Sequence, residues 1–189
     1  MFGKFNRRSF LQSAALSSLA IAAPKAWGSS IVAGPTEATV SSKALAQFVD
    51  VFIGTGGHGH TYPGATVPFG MVQLSPDTQI RPFKQSYKWA AGYRYEDTTI
   101  LGFSHTHFSG AGHSDLGDFL VQPIAGDVKL EPGEIDVPHS GYRSRFRHET
   151  EKAEPGYYAV TLDDYDVRAE LTATTRVGVC ASRRRNPSA

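Results

Sequence analysis

The sequence predicts a mostly β fold, an antiparallel β-sandwich, and three observations carry that expectation. Tyr142, Ser144, Phe146 and His148 alternate with Arg143, Arg145 and Arg147, while Val167, Ala169, Leu171 and Ala173 alternate with Arg168, Glu170, Thr172 and Thr174. A period of two places successive side chains on opposite faces of a strand, so residues 142–148 are expected to form a strand with one mixed face and one cationic, solvated face. Turn chemistry at Glu131-Pro132-Gly133, Glu154-Pro155-Gly156 and Asp163-Asp164 separates the strand candidates. No long segment carries the 3.6-residue period of an amphipathic helix, so short strands joined by turns remain.

In chain order, the first segment stands apart from any fold. Lys4, Arg7 and Arg8 form a basic head, no acidic residue occurs before Glu37, and a mildly apolar run follows over residues 11–23. That run is shorter than the ~20 apolar residues of a membrane span and fits a cleaved signal. Arg7-Arg8-Ser9-Phe10-Leu11 resembles a bacterial twin-arginine export signature. Residues 1–28 are therefore expected to be an export signal, and the product to be exported, periplasmic or extracellular. Residues 29–47 are small, polar and interrupted by Gly34 and Pro35, as in a linker. The remainder, residues 48–179, has the size of one domain. A net charge of +1 gives no footprint for nucleic acid, and nothing points to a membrane surface. Cys180 is the single cysteine, so no intramolecular disulfide is expected.

Two apolar strand signals, at residues 51–53 and 69–74, flank a loop that holds Gly54, Gly56, Gly57, His58, Gly59, His60 and Gly64. Glycine loses the most entropy on ordering, so such a loop is expected where the backbone takes positive φ or lets something approach closely. A phosphate cradle would need a helix N-terminus or Gly-Lys-Ser/Thr directly behind it, and Tyr62, Pro63 and Pro68 follow instead. What remains open is a metal site using His58 and His60, a polar surface for hydroxyl-rich ligands, or a tight multi-turn loop whose histidines bond backbone.

A second chemical stretch is ILGFSHTHFSGAGHSDLGD, residues 100–118. If residues 103–108 are extended, His105 and His107 share a face, with His113, Asp115 and Asp118 close behind. A mononuclear zinc site could be written from His105, His107 and one acid, although the spacing matches no established zinc signature. Polar groups lining a sugar pocket explain the same residues. Further strands are predicted at residues 119–124 and 157–162.

The motifs FVDVFIGTGGHGHTYPGATVPFGMVQLSPDT, KWAAGYRYEDTTILGFSHTHFSGAGHSDLGDFLVQP and ELTATTRVG resemble the N-terminal domain of glycoside hydrolase family 92, over residues 48–179. The resemblance implies a β-sandwich belonging to an exported, two-domain α-mannosidase, many of whose relatives cut α-1,2 linkages. It also implies that calcium and the catalytic carboxylates belong to a larger C-terminal α/α-barrel, with none expected in this chain. The partners implied are mannose-containing glycans and that barrel. Inversion needs an acid and a base carboxylate ~6.5 to 9.5 Å apart, so this chain alone is expected to be inactive; the alternatives are a carbohydrate-binding β-sandwich module or a small histidine-cluster metalloenzyme. By the same resemblance Gly56, Gly57, His58, Gly59, His60 and Trp89, with His105 and His107, line the sugar site. A tryptophan face suits the apolar C–H face of a pyranose, and the alternative for Trp89 is a core aromatic.

Residues 180–189, CASRRRNPSA, depart from the family pattern. With no alternation and no apolar face, they are expected to form an aberrant disordered tail, as after a frameshift, a premature stop or an incomplete gene model.

Overall fold

A computed structural model describes residues 45–79, 89–110 and 117–185. The expected export signal at 1–28 and most of the expected linker lie outside the described residues. In chain order the strands are β1 (Ala65–Thr66), β2 (Gln73–Asp77), β3 (Thr99–Ile100), β4 (Gly102–Ser104), β5 (Ser144–Arg145), β6 (Lys152–Glu154), β7 (Tyr157–Leu162), β8 (Val167–Ala173) and β9 (Gly178–Arg184). A 3-10 turn, His148–Thr150, precedes β6. All pairings are antiparallel, in sheets ordered β1-β2-β4, β3-β5 and β6-β7-β8-β9. The expected mostly β, antiparallel fold is what the chain forms. Among the described residues no helix is long and apolar enough to cross a membrane.

β8 shows how the sequence pattern becomes packing. Val167, Ala169, Leu171 and Ala173 are buried, while Arg168, Glu170 and Thr172 between them are half-buried or exposed. Tyr158, Val160 and Leu162 of β7 share that inner face. Opposite them lie Ala65, Leu74 and Phe103 from the β1-β2-β4 sheet, with Tyr93, Ile100 and Phe146, in one hydrophobic cluster. Each fully buried Leu, Ile, Val or Phe contributes about 1.5–3 kcal/mol, so this seam between sheets is the main stabilising feature. The β6–β7 hairpin turns at Glu154-Pro155-Gly156, where Gly156 has φ +79°. A residue with a Cβ would be strained there.

The structure departs from the sequence expectations in several places. Residues 51–53 form turns, because Asp50 accepts the Phe52 N–H through its side chain (2.9 Å) and the Ile53 N–H through its carbonyl (3.4 Å). In the second signal, pairing starts only at Gln73, since a turn closed by Gly70 N–H to Val67 O (2.9 Å) holds Phe69 at φ +57°. Residues 119–124 make one isolated bridge, Phe103 to Val121, and the strand expected at 142–148 is reduced to β5. The expected solvated cationic face also fails at Arg143. This side chain is 8% exposed and donates to Thr78 O (3.1 Å), Thr99 Oγ1 (2.9 Å) and Gln79 Oε1 (3.0 Å). Arg145 and Arg147 are exposed and pair with Asp164 and Asp163.

The tail needs a further correction. Cys180 to Arg184 belong to β9, which pairs with β8 from Ala173↔Gly178 to Val167↔Arg184. Strand pairing is made by backbone N–H and C=O groups, so it does not require side-chain alternation. The missing alternation reports instead that neither face of β9 is covered, and Val179 to Arg184 are all exposed. Residues 186–189 lie outside the described residues.

Candidate functional site

The glycine-rich loop folds back on itself through positive-φ residues, Gly54 (+81°), Gly57 (+58°) and His60 (+51°). Thr61 N–H closes onto Gly54 O (3.2 Å) and Gly59 N–H onto Gly56 O (3.1 Å). The closeness is what demands glycine. A Cβ on Gly59 would lie 2.1 Å from Gly54 O. Two residues of a distant segment clasp the loop: Tyr95 N–H donates to Thr55 O (3.0 Å), and Gly57 N–H donates to Glu96 Oε1 (2.8 Å). That backbone hydrogen bond holds the Glu96 carboxyl below its ordinary value of 4.5, helped by Arg94, whose Nε stands 3.1 Å from Oε2. The loop also reaches the second chemical stretch, since Gly110 N–H donates to His60 O (2.7 Å).

His58 is exposed and His60 half-buried, with ring centroids 6.1 Å apart. Partial burial, and then the neighbouring His58, lower His60 from its ordinary 6.5. A lowered imidazole pKa favours the neutral ring, which offers one donor and one acceptor nitrogen to a hydroxyl.

Beside the loop lies a cleft of ≈ 410 Å³, lined by Asp50, Phe52, Ile53, Thr55, Gly56, Tyr95, His148 and Glu151. The Tyr95 ring stacks on His148 at 4.1 Å and 10°. Glu151, whose side chain is 1% exposed, accepts from His148 Nδ1 (2.5 Å), Tyr158 OH (2.5 Å) and Tyr93 OH (3.1 Å). Burial first, and then the Glu151 charge, push both phenols well above their ordinary 10.0. Both therefore remain donors to the carboxylate. Sequence reasoning missed this group. The available signal was His148 and Glu151 three residues apart, ahead of Pro155-Gly156-Tyr157-Tyr158.

The remaining sequence candidates are spread over the domain. His107 is 2% exposed: its Nδ1 donates to Gln73 O (2.7 Å), and its Nε2 lies 3.1 Å from Asp77 Oδ1 and 3.3 Å from Ser104 Oγ. It links β2 to the segment after β4 from inside the core. His105 instead bonds Phe119 O through Nδ1 (3.2 Å) and lines a separate ≈ 780 Å³ cleft with Met71, Val72, Thr106, Phe119 and Arg176. Trp89 is half-buried, and its indole N–H donates to Asp97 Oδ2 (2.6 Å), which also accepts from Thr78 Oγ1 (2.7 Å). Gly56, Gly57, His58, Gly59 and His60 thus form one unit, while Trp89, His105 and His107 each have partners of their own. His113 and Asp115 lie outside the described residues. Among the described residues no three His, Cys, Asp or Glu side chains converge as a metal site would require. They do not fit the six to eight oxygen ligands of calcium.

The family model of the glycosyl hydrolase family 92 N-terminal domain matches residues 48–183. The chain belongs to glycosyl hydrolase family 92. Its fold is similar to that of the family 92 α-mannosidase BT3965 from Bacteroides thetaiotaomicron, with a TM-score of 0.70 and 50% identity over 74% of this chain and 18% of that one. The same α-mannosidase has been solved in complex with mannoimidazole. The family 92 glycosyl hydrolase ccman5 gives a TM-score of 0.58 at 34% identity, covering 72% of this chain and 18% of its own. A secreted glycosidase of Arthroderma benhamiae, described as uncharacterized, is 33% identical over 130 residues, 68% of this chain and 16% of the relative. The family 92 domain therefore spans less than one fifth of the length of these relatives. Its match runs to residue 183, within one residue of the end of β9.

Proposed function

We propose that this chain is the N-terminal domain of an exported family 92 α-mannosidase acting on α-1,2-linked mannosides of glycans, and that its GGHGH loop forms part of the wall of the sugar site. The observation that carries the reading is the loop itself. Its backbone is held by the Glu96 clasp and by Gly59, where a Cβ would strike Gly54 O, and it presents His58 outward with His60 half-buried beside it. Burial lowers the His60 pKa and so favours the neutral ring, which has one donor and one acceptor nitrogen. The 50% identity to a solved α-mannosidase supports mannosides as the substrate class.

Inverting hydrolysis requires one carboxylic acid at the leaving oxygen and one carboxylate activating water on the opposite face. The acids nearest the loop already have partners: Asp50 accepts from Phe52 N–H, Glu96 from Gly57 N–H, and Glu151 from two phenols and an imidazole. This supports the reading that the cleaving carboxylates come from the larger part of the relatives, and that the isolated chain is inactive. Calcium, where the longer enzyme uses it, would be held there too. The basic leader supports export, and a reporter on residues 1–28 that stays exported after Arg7 and Arg8 become lysine would remove the twin-arginine route.

The test is mannose release from α-1,2-mannobiose with calcium present. The purified chain should release none, whereas residues 48–179 grafted in place of the matching segment of BT3965 should support turnover. Hydrolysis by the isolated chain would overturn the proposal.

A further inference from the structure

His148 and Glu151 take no part in the loop described above, yet they line the cleft beside it. Three donors converge on Glu151, which fits an ionised, acceptor-only carboxylate. With Glu151 ionised, His148 Nδ1 carries a proton toward Oε2, and in the neutral ring Nε2 is then an acceptor that faces away from the carboxylate. Among the described residues Nε2 has no hydrogen-bond partner, although the side chain is only 31% exposed. The ring plane is fixed by Tyr95 stacked on one side and by the Phe146 ring at 5.2 Å and 86°. A buried carboxylate behind an imidazole sets its tautomer and aims its free nitrogen.

The rest of the lining defines what such a nitrogen would meet. Phe52 and Ile53 are apolar, and Thr55 Oγ1 is already donated to Phe52 O (2.8 Å). Asp50 is a second acceptor, and no lysine or arginine lines the cleft. Acceptors beside apolar walls select a ligand that donates hydrogen bonds and also has C–H faces. A pyranose meets both requirements, whereas a phosphate or carboxylate group only accepts and would face Asp50 and Glu151. The volume lies within the ~300–1,000 Å³ range of small-molecule sites.

We propose that this cleft is a hydroxyl-binding subsite for a pyranose, in which His148 Nε2 accepts a sugar hydroxyl and Glu151 acts as the positioning residue that fixes the imidazole. The proposal rests on the mannosidase reading and adds to it a residue pair and a second contact surface next to the GGHGH loop.

The test uses the full chain labelled with ¹⁵N, titrated with methyl α-D-mannopyranoside and followed at the His148 ring nitrogens. The free protein should show the Nδ1–H tautomer. Added sugar should shift Nε2 saturably, with the Phe52 and Gly56 amides following the same isotherm. His148→Phe keeps a ring against Tyr95 and should weaken binding at least tenfold; if that variant does not fold, the wild-type Nε2 titration decides. An Nε2–H tautomer, or sugar-dependent shifts at His58 and His60 that leave His148 Nε2 unmoved, would overturn the subsite. The second result would leave the mannosidase reading intact. Absence of any sugar-dependent shift would likewise overturn a subsite in this chain, whereas the mannosidase reading is decided by the graft.

Discussion

Replacing His107 with alanine separates a structural histidine from a sugar ligand. In the folded chain His107 Nε2 lies 3.1 Å from Asp77 Oδ1, with the two side chains 2% and 1% exposed. Asp77 Oδ2 has no hydrogen-bond partner among the described residues, so His107 is the side chain that satisfies this carboxyl group. Its loss would leave the group buried with neither a donor nor a counter-charge, a change that costs about 3–5 kcal/mol. The vacated space beside Tyr62, whose ring centroid is 5.2 Å from that of His107, adds a cavity term. At ~2–4 °C per kcal/mol, the thermal midpoint should fall on the order of 10 °C. Urea unfolding of the chain measures the change, and an Asp77→Asn background should reduce the cost of His107→Ala by about 1–3 kcal/mol through their coupling. A His107→Ala chain within about 1 kcal/mol of wild type would refute the reasoning, and additive costs in the double variant would show that the pair does not interact.

Two further outcomes concern the loop. Glu96 has a folded-state pKa below its ordinary 4.5, so the Gly57 clasp contributes order above that value and loses it as pH falls through the lowered pKa. The Gly57 amide shift should therefore titrate with a midpoint below 4.5, and a midpoint at or above it would contradict the clasp. Gly59→Ala forces a Cβ to within 2.1 Å of Gly54 O, so the backbone must move and the Thr61–Gly54 hydrogen bond must open. A cost of about 1–3 kcal/mol in denaturant midpoint is expected, and a neutral substitution would show that the loop is not closed in this way.

How much of this was legible beforehand depended on how far each residue's partner lies along the chain. β7 and β8 follow from local alternation, and the hairpin between β6 and β7 from Glu154-Pro155-Gly156, because strand period and turn geometry are set by neighbouring residues. The glycine loop was legible for the same reason. Arg143 was misread because alternation assigns it to an outer face, whereas its partners Thr78, Gln79 and Thr99 lie 44 to 65 residues away. His107 looked like a ligand beside His105 until β2 supplied Asp77, 30 residues distant. Glu151 passed unnoticed because Tyr93, 58 residues earlier, completes its ring of donors. The tail was misjudged because side-chain pattern reports what covers a strand, and β9 is covered on neither face.

The central claim is that the GGHGH loop contacts the mannoside in the transition state. It is tested most directly by kcat/KM for α-1,2-mannobiose in the BT3965 graft carrying residues 48–179, compared with the same graft bearing His58→Ala. His58 is exposed on a loop whose shape is set by glycines and Glu96, so its removal should leave the thermal midpoint unchanged. The account predicts at least a tenfold fall in kcat/KM, about 1.4 kcal/mol of transition-state stabilisation. Turnover equal to that of the unmutated graft, with the fold intact, would contradict it.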